Sequence, residues 1–521
     1  MWSSFTYHEP SIVQILILSS WIYLLNLFGW ISQYVLSAEL LGQILIGIIF
    51  GKPLAGWLDD NWQETFIVVG YVGLLLIVFE GGLNSSFNNV ISLLPLSICI
   101  ALTGILLPIG LSFILVPLGS FSALHAFAAG SALSSTSLGT SLSILNPNSI
   151  GFDLRKSKLG TALLSAAVLD DIIAFVLSSI LSDLGQDSSS SGSSELGKNI
   201  GRTIGVTIAL GLILIPITKF ILKPMYIQLY KRYDSWKEIS WGGKPLLLAF
   251  MTISFIGMIA ATGFAGTSPL YGAYLAGLIC AYLSDSINIQ MMSAKNKSKS
   301  SEEAFQVNTP ESGLALGLRR LNTYPGNHTS SSLLRLDQSS RITSHLCQQS
   351  GNEEERITLR SSFEHIISPL LTYIFIPIFF GSIGYCIPFV PLWKGKIIWR
   401  GIIYAILMII GKLACGGWLL FWSKLTFGEN KKTRSNSVYE DNVKSKSSSK
   451  GAVFLGSAMV ARGEIGLLIS QIAYNTPKPL LEQDEFLIVN WGIILCTIVG
   501  PLSVGWIIRK FGKTIMDGGW D

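Results

Sequence analysis

Two adjacent aspartates lie in the middle of the apolar run 159-LGTALLSAAVLDDIIAFVLSSI-180. Ionisable side chains at membrane depth are costly, so they mark functional positions by default. Neighbouring residues of a helix point about 100° apart, so Asp170 and Asp171 cannot both face one partner. One carboxylate can therefore face a cation pathway while the other pairs with a base.

A suitable base occurs in a second apolar run, 405-AILMIIGKLACGG-417, where Lys412 also lies mid-helix. A pair between Asp170 and Lys412 could serve transport or only neutralise two buried charges, and the residues alone leave both readings open. One lysine cannot neutralise the charges of two neighbouring carboxylates. Asp171 is therefore the predicted site of an alkali cation and of a competing proton.

Two further apolar segments contain polar or glycine-rich interruptions typical of broken helices. The segment 128–145 has a run of Ser, Thr and Gly at its centre, and the segment 456–470 carries Arg462 and Glu464 among glycines. Each contains the tripeptide Gly-Ser-Ala, and they occupy corresponding places in the two halves of the chain. Such a pair indicates a transporter site between inverted repeats.

Broken helices free backbone carbonyl and hydroxyl oxygens, which are hard ligands suited to a desolvated alkali cation. We expect Thr136 and Ser137 to supply side-chain oxygens near the site, and Asp171 to supply the charge. Burial makes a carboxylate easier to protonate, so that a proton and a cation can compete for it. Competition at one alternating-access site is antiport. Arg462 and Glu464 are predicted to be structural, compensating half-helix dipoles or each other.

The elements that position these residues must be membrane helices. The chain has 521 residues, of which 50% are hydrophobic and 13% charged, and its mean hydropathy is +0.51. An average soluble protein has about 25% charged residues. This composition excludes a soluble enzyme, a secreted disulfide scaffold and a disordered regulator, and it indicates a polytopic membrane protein.

A spanning helix needs roughly 20 predominantly apolar residues, and the chain offers thirteen candidates. They lie near 12–31, 36–50, 64–82, 90–117, 121–145, 159–183, 201–222, 244–264, 268–285, 363–386, 397–422, 450–472 and 484–509. We predict two membrane parts, at 1–285 and 363–509, separated by a polar disordered cytoplasmic loop at 286–362. The second membrane part is interrupted by a basic cytoplasmic loop at 424–449, and a short cytoplasmic tail follows at 510–521.

The distribution of basic residues predicts the orientation. If the N-terminus is extracytoplasmic, 28 of the 37 Lys and Arg residues fall in cytoplasmic loops and the tail. This asymmetry follows the positive-inside rule and supports an odd number of spans with a cytoplasmic C-terminus. The sequence does not distinguish the plasma membrane from an internal membrane of the vacuolar, Golgi or endosomal kind.

The sequence resembles the monovalent cation/proton antiporter superfamily, in particular the bacterial-type sodium/proton antiporter branch with an Asp-Asp motif. The resemblance rests on 77-IVFEGGL-83, the Ser-Ser-Thr-Ser run at 134–137, 168-VLDDII-173, 268-SPLYGAYLAGL-278, 377-PIFFGSIG-384, 410-IGK-412 and 461-ARGEIGLL-468. It implies an all-α fold of about thirteen helices that is built from inverted repeats and contains two broken helices that cross each other. The resemblance further implies a dimerisation domain that joins two copies in a homodimer. It also implies that the Ser-rich insertion at 286–362 belongs to a eukaryotic version such as a fungal one.

The same resemblance assigns roles to residues. It implies that Asp171 binds the cation and the proton, that Asp170 pairs with Lys412, and that Thr136 and Ser137 form the crossover of the first broken helix. An Asp in the first position together with the lysine resembles electrogenic members, which implies two protons for each cation.

The predicted protein is a transporter and not an enzyme. Its predicted substrates are H⁺ and Na⁺, Li⁺ or K⁺, its surroundings are the lipid bilayer, and we expect neither a cofactor nor a nucleic-acid partner. A gated K⁺ channel or efflux pathway on the same fold stays open, because a sequence cannot establish coupling. His125, at the start of the first broken helix, is either structural or a pH sensor.

Overall fold

The computed structural model describes Tyr7 and residues 9–85, 93–118, 121–137, 157–186, 193–236, 244–287, 358–422 and 438–516. Within these residues the fold is all-α, as predicted. The helices are α1 Ile12–Leu36, α2 Glu39–Phe50, α3 Asp60–Asn84, α4 Leu94–Leu118, α5 Ala123–Ala132, α6 Lys158–Leu184, α7 Ser193–Trp236, α8 Lys244–Ala265, α9 Pro269–Ile287, α10 Leu359–Tyr385, α11 Gly395–Trp422, α12 Val438–Val460, α13 Glu464–Asn475 and α14 Gln483–Met516.

Ten helices of the described part are long and apolar enough to cross a membrane. The pair Ser449–Val460 of α12 and Glu464–Asn475 of α13, bent by 41° at its break, makes eleven if it is counted as one span. The second predicted span corresponds to the short apolar helix α2. The fifth corresponds to α5 and the break that follows it, and its predicted residues 138–145 lie outside the described residues. The predicted loop 286–362 also lies outside them, apart from its first two and last five residues.

Two helices extend beyond their predicted spans, and one of them, α7, runs from Ser193 to Trp236 where the sequence predicts 201–222. The helix α12 begins at Val438, so it includes residues that the sequence places in the basic loop 424–449. In addition, α7 and α10 contain π-helical turns at Thr218–Leu222 and Leu371–Phe375. Each π turn begins two residues after a proline, Pro216 or Pro369. Proline removes a backbone donor and displaces the preceding turn, which favours such local rearrangement.

The helices pack in two groups. The first contains α1, α2, α3 and α10. The second surrounds the two helix breaks and contains α4, α5, α6, α11, α12, α13 and α14. The helix α9 crosses α3 where Gly82 and Gly277 meet, and a Cβ atom at either glycine would collide with the backbone of the other helix. Glycine at both positions therefore permits this close approach.

Candidate functional site

The first helix break follows α5. The Ser122 side chain caps the helix by accepting a hydrogen bond from the amide of His125 over 3.1 Å. The helix ends at Ala132, and residues 133–137 are buried without helical structure. Serine and threonine side chains bond to nearby backbone and compete with helical hydrogen bonds. Ser134 does so here, because its hydroxyl donates to the carbonyl oxygen of Ser131 over 2.8 Å.

The second helix break separates α12 from α13 and lies directly against the first. The amide of Ser137 donates to the carbonyl oxygen of Ala461 over 3.1 Å. A Cβ atom at Gly463 would lie 2.7 Å from the Ser137 hydroxyl oxygen, so glycine is needed for this approach. The crossing of two broken helices is thus a direct backbone contact.

Buried charges accompany both breaks. The Arg462 guanidinium donates to the carbonyl oxygens of Ser134, over 3.1 Å, and Ser135, which follow the C-terminal end of α5. Glu464 is the first residue of α13, and its carboxylate accepts a hydrogen bond from the Ser137 hydroxyl over 3.2 Å. A cation at a helix C-terminus and an anion at an N-terminus are the signs that half-helix dipoles favour.

Asp170 is paired with a base and also accepts a hydrogen bond from a hydroxyl. Its Oδ2 atom lies 2.9 Å from Nζ of Lys412 and accepts a hydrogen bond of 2.6 Å from the Thr136 hydroxyl. Lys412 also donates to the Thr136 oxygen over 2.8 Å. Both charged side chains are 0% exposed. The predicted partnership of Asp170 and Lys412 therefore has the geometry of an ion pair, and the structure places Thr136 within it.

Asp171 lies beside this pair in a different environment. Its carboxyl is buried, with 3% of the residue exposed, and Oδ1 has no hydrogen-bond partner among the described residues. Glu464, Asp170 and Lys412 all lie close enough to interact with it electrostatically. The two aspartates point to different surroundings, as expected for adjacent residues of a helix.

Five ionisable side chains are buried around the crossing. Three are carboxylic acids, Asp170, Asp171 and Glu464, and two are bases, Lys412 and Arg462. When all five are ionised, the group carries one unbalanced negative charge. One monovalent cation or one proton neutralises it. No cluster of three or more His, Cys, Asp and Glu side chains that could hold a resident metal ion occurs in the described part of the chain.

Sequence reasoning missed two neighbours of the predicted residues. Glu485 lies at the start of α14, and its Oε2 is 2.8 Å from Nδ1 of His125, so the N-terminal ends of α5 and α14 are joined by a polar contact. The ring of Tyr274 on α9 packs against Phe175 of α6, one turn from Asp171, with ring centroids 6.3 Å apart. Tyr274 belongs to the run 268–278 that carries the family resemblance, but no sequence signal places α9 against α6.

Crossed helix breaks that enclose a buried carboxylate without a paired base are the architecture of a secondary transporter for cations. A family model described as "Sodium/hydrogen exchanger, transmembrane" matches residues 17–304 and 347–510. The chain belongs to this family, so its class is that of the membrane cation/proton antiporters, as the sequence predicted.

Individual relatives agree with this assignment. The chain is 22% identical over 486 residues to the Na⁺/H⁺-K⁺ antiporter GerN of Bacillus cereus, with 91% of each chain covered. Among solved structures it is similar to the sodium proton antiporter MjNhaP1 of Methanocaldococcus jannaschii, with a TM-score of 0.54 and 15% identity. That match covers 96% of this chain and 99% of the other, and it shows the shared fold.

Proposed function

We propose that the protein exchanges Na⁺, Li⁺ or K⁺ for protons by alternating access, and that the exchange is electrogenic. The observation that carries this proposal is the contrast between two neighbouring carboxyl groups. Oδ1 of both aspartates lacks a hydrogen-bond partner among the described residues. The difference lies at Oδ2 of Asp170, which is bound by Lys412 and Thr136, whereas no base or hydroxyl of the described residues bonds to Asp171. Asp171 is therefore the acid available to a cation or a proton.

The charge balance supports competition at Asp171. The buried group around the crossing carries one negative charge when fully ionised, and a buried uncompensated charge is costly. Either a cation or a proton removes that charge, so the empty ionised site is the least stable of the three states. A protein that changes sides readily only when Asp171 itself carries a cation or a proton would couple the two ions.

The oxygen ligands come from the crossing of the breaks. Ser137 and Glu464 lie together there, and the amide of Ser137 is already bonded to Ala461. We propose that oxygens of this region complete the shell of a cation at Asp171. Thr136 is better assigned to the Asp170–Lys412 pair, since its hydroxyl both donates to the carboxylate and accepts from the ammonium.

Electrogenic exchange requires a second proton for each cation. The Asp170–Lys412 pair can supply it, because opening the pair would leave Lys412 buried, and a buried ammonium loses its proton more readily than a hydrated one. The Arg462 and Glu464 side chains are proposed to stay charged and to compensate the dipoles of the half-helices at the two breaks. The relative GerN is named as an Na⁺/H⁺-K⁺ antiporter, which supports testing both ions.

We retain three predictions about the surroundings of the protein: a homodimer, an extracytoplasmic N-terminus and a cytoplasmic C-terminus. Large apolar side chains of α1, among them Leu16, Tyr23, Trp30 and Tyr34, are exposed on the single chain. A second copy or lipid acyl chains would cover them. Crosslinking in native membranes and protease accessibility of tagged termini test these three points.

The experiment uses purified protein in liposomes with an acidic lumen and a lumenal pH dye. Na⁺, Li⁺ or K⁺ is added outside, and a transported cation is expected to drive protons out and raise the lumenal pH. Asp171→Asn should abolish the response. The matched control is Asp183→Asn on the same helix, where Thr203 donates to the carboxylate over 3.2 Å, and it should keep the response.

Isotope uptake in the same liposomes separates exchange from conduction. Counter-flow of cation and proton at fixed stoichiometry is the expected result. Cation uptake that produces a current without proton movement would instead identify the gated channel left open by the sequence. A folded wild-type protein that moves no cation and no proton would refute the proposed function.

A further inference from the structure

The helices α3 and α9 belong to neither broken helix and cross at Gly82 and Gly277. Together they form a wall that reaches α6 at Phe175. Tyr274 lies on this wall, 1% exposed, and its ring packs against Phe175 of α6 with ring centroids 6.3 Å apart. Residues four apart share a helix face, so Phe175 lies one turn from Asp171 on the same side of α6.

A second hydroxyl group orients the phenol. Ser85 directly follows α3, and its Oγ atom lies 3.4 Å from the Tyr274 hydroxyl oxygen. The Ser85 proton is already used, because Oγ donates to the carbonyl oxygen of Gly81 over 2.9 Å. A hydroxyl has one proton and two acceptor lone pairs. The Tyr274 proton is therefore the one that joins the two hydroxyls, and the lone pairs of Tyr274 are left for its other neighbours.

Asp171 is the ionisable group on this side of α6, since it lies one turn from Phe175, against which the Tyr274 ring packs. An oxygen lone pair directed at a carboxylate is unfavourable when that carboxylate is ionised and has no cation bound. The same lone pair is favourable once a cation occupies the site, because a phenol oxygen is a hard ligand of the kind alkali cations accept.

The geometry points to Tyr274 as a ligand of the transported cation, with Ser85 as the positioning residue that holds the phenol hydroxyl in the orientation that presents oxygen to the site beside Asp171. This inference rests on the proposed function, because it assigns a further ligand to the same ion. It applies to the state in which α6 packs against the α3–α9 wall, so Tyr274 contributes to binding on one side of the transport cycle.

The chain offers a matched control on the same helix. Tyr271 lies one turn before Tyr274 and is also buried, with 5% exposed. Its hydroxyl donates to the carbonyl oxygen of Thr207 on α7 over 3.1 Å. Tyr271→Phe therefore removes a buried hydroxyl from α9 that serves helix packing, whereas Tyr274→Phe removes the one at the cation site.

The test measures exchange against cation concentration for the wild type, Tyr274→Phe, Ser85→Ala and Tyr271→Phe, each checked for folding by its melting temperature in detergent. Loss of one such contact is expected to raise the apparent KM for the cation of Tyr274→Phe by about three- to tenfold, with kcat within about twofold. Ser85→Ala should also raise the apparent KM for the cation, because the freed phenol proton can turn toward the carboxylate. Tyr271→Phe should keep the wild-type KM.

Equal KM values for Tyr274→Phe, Ser85→Ala and Tyr271→Phe would overturn the inference while leaving the proposed exchange intact. If Tyr274→Phe does not fold, Ser85→Ala decides, because it leaves the aromatic ring in place. A wild-type protein without cation-dependent proton flux would refute the proposed function itself, and with it this inference.

Discussion

The backbone amide of Ser137 donates a hydrogen bond of 3.1 Å to the carbonyl oxygen of Ala461. This bond joins the interruption after α5 to the interruption after α12. A backbone bond of this kind does not depend on side-chain identity, so its presence is decided by how closely the two segments approach. Gly463 sets that approach, since a Cβ atom there would lie 2.7 Å from the Ser137 hydroxyl oxygen.

The first prediction concerns this approach. Gly463→Ala should separate the two breaks, because the neighbouring Ser137 is short and bonded on both its amide and its hydroxyl. We expect destabilisation of about 1–3 kcal/mol and loss of most of the exchange activity. Melting temperature in detergent and liposome flux provide the measurements. Gly205→Ala on α7, where an added Cβ meets nothing within 4 Å, should change neither.

The second prediction concerns the buried ion pair. Lys412→Met removes the base from a pair that is 0% exposed, and breaking a buried pair costs about 3–5 kcal/mol because one charge stays uncompensated. The double variant Lys412→Met/Asp170→Asn removes both charges and should recover most of the melting temperature. A double variant as unstable as Lys412→Met would show that Asp170 is not the partner whose charge matters.

The third prediction concerns the stability of the acid left without a base. Asp171→Asn removes a buried charge whose Oδ1 has no hydrogen-bond partner among the described residues. We expect this variant to melt at or above the wild-type temperature while losing exchange. Asp170→Asn, which takes the charge from an existing pair, should lower the melting temperature. The opposite order of the two melting temperatures would reverse the roles proposed for the aspartates.

The fourth prediction concerns pH. A proton and a cation that compete for Asp171 make cation binding weaker as the pH falls, because protonation removes the charge that attracts the cation. The apparent KM for the cation should rise by up to about tenfold for each unit of acidification if only the Asp171 proton is displaced, and by up to about a hundredfold if the second proton leaves in the same step, whereas the rate at saturating cation changes little. Flux measured against cation concentration at a series of equal internal and external pH values tests this. A KM independent of pH would contradict competition at one site.

The fifth prediction concerns charge movement. If the Asp170–Lys412 pair supplies the second proton, Asp170→Asn should convert electrogenic exchange into electroneutral exchange. Currents on a solid-supported membrane report the net charge moved, and pH-dye flux reports whether protons still move. We expect a current from the wild type and proton flux without current from any Asp170→Asn protein that remains folded. A wild type without current would remove electrogenicity from the proposal.

The amino-acid sequence alone determined the class of protein and most of the candidate site. Apolar runs long enough to span a bilayer, and the cost of ionisable groups within them, make Asp170, Asp171 and Lys412 conspicuous without any structure. The two interrupted segments were predictable for the same reason, because Ser, Thr, Gly, Arg and Glu are unusual inside an apolar helix. These are local properties of a chain in a membrane.

The tertiary structure decided which groups meet. The sequence predicted the pairing of Asp170 with Lys412, and the two side chains meet because α6 and α11 both pack against α4. Thr136, which follows α5, joins the pair, and Tyr274 of α9 lies against Phe175 of α6. Residues far apart in the chain share no sequence pattern that records their contact. Their distances follow from how whole helices cross, and that depends on the close approach that residues such as Gly82 and Gly463 permit.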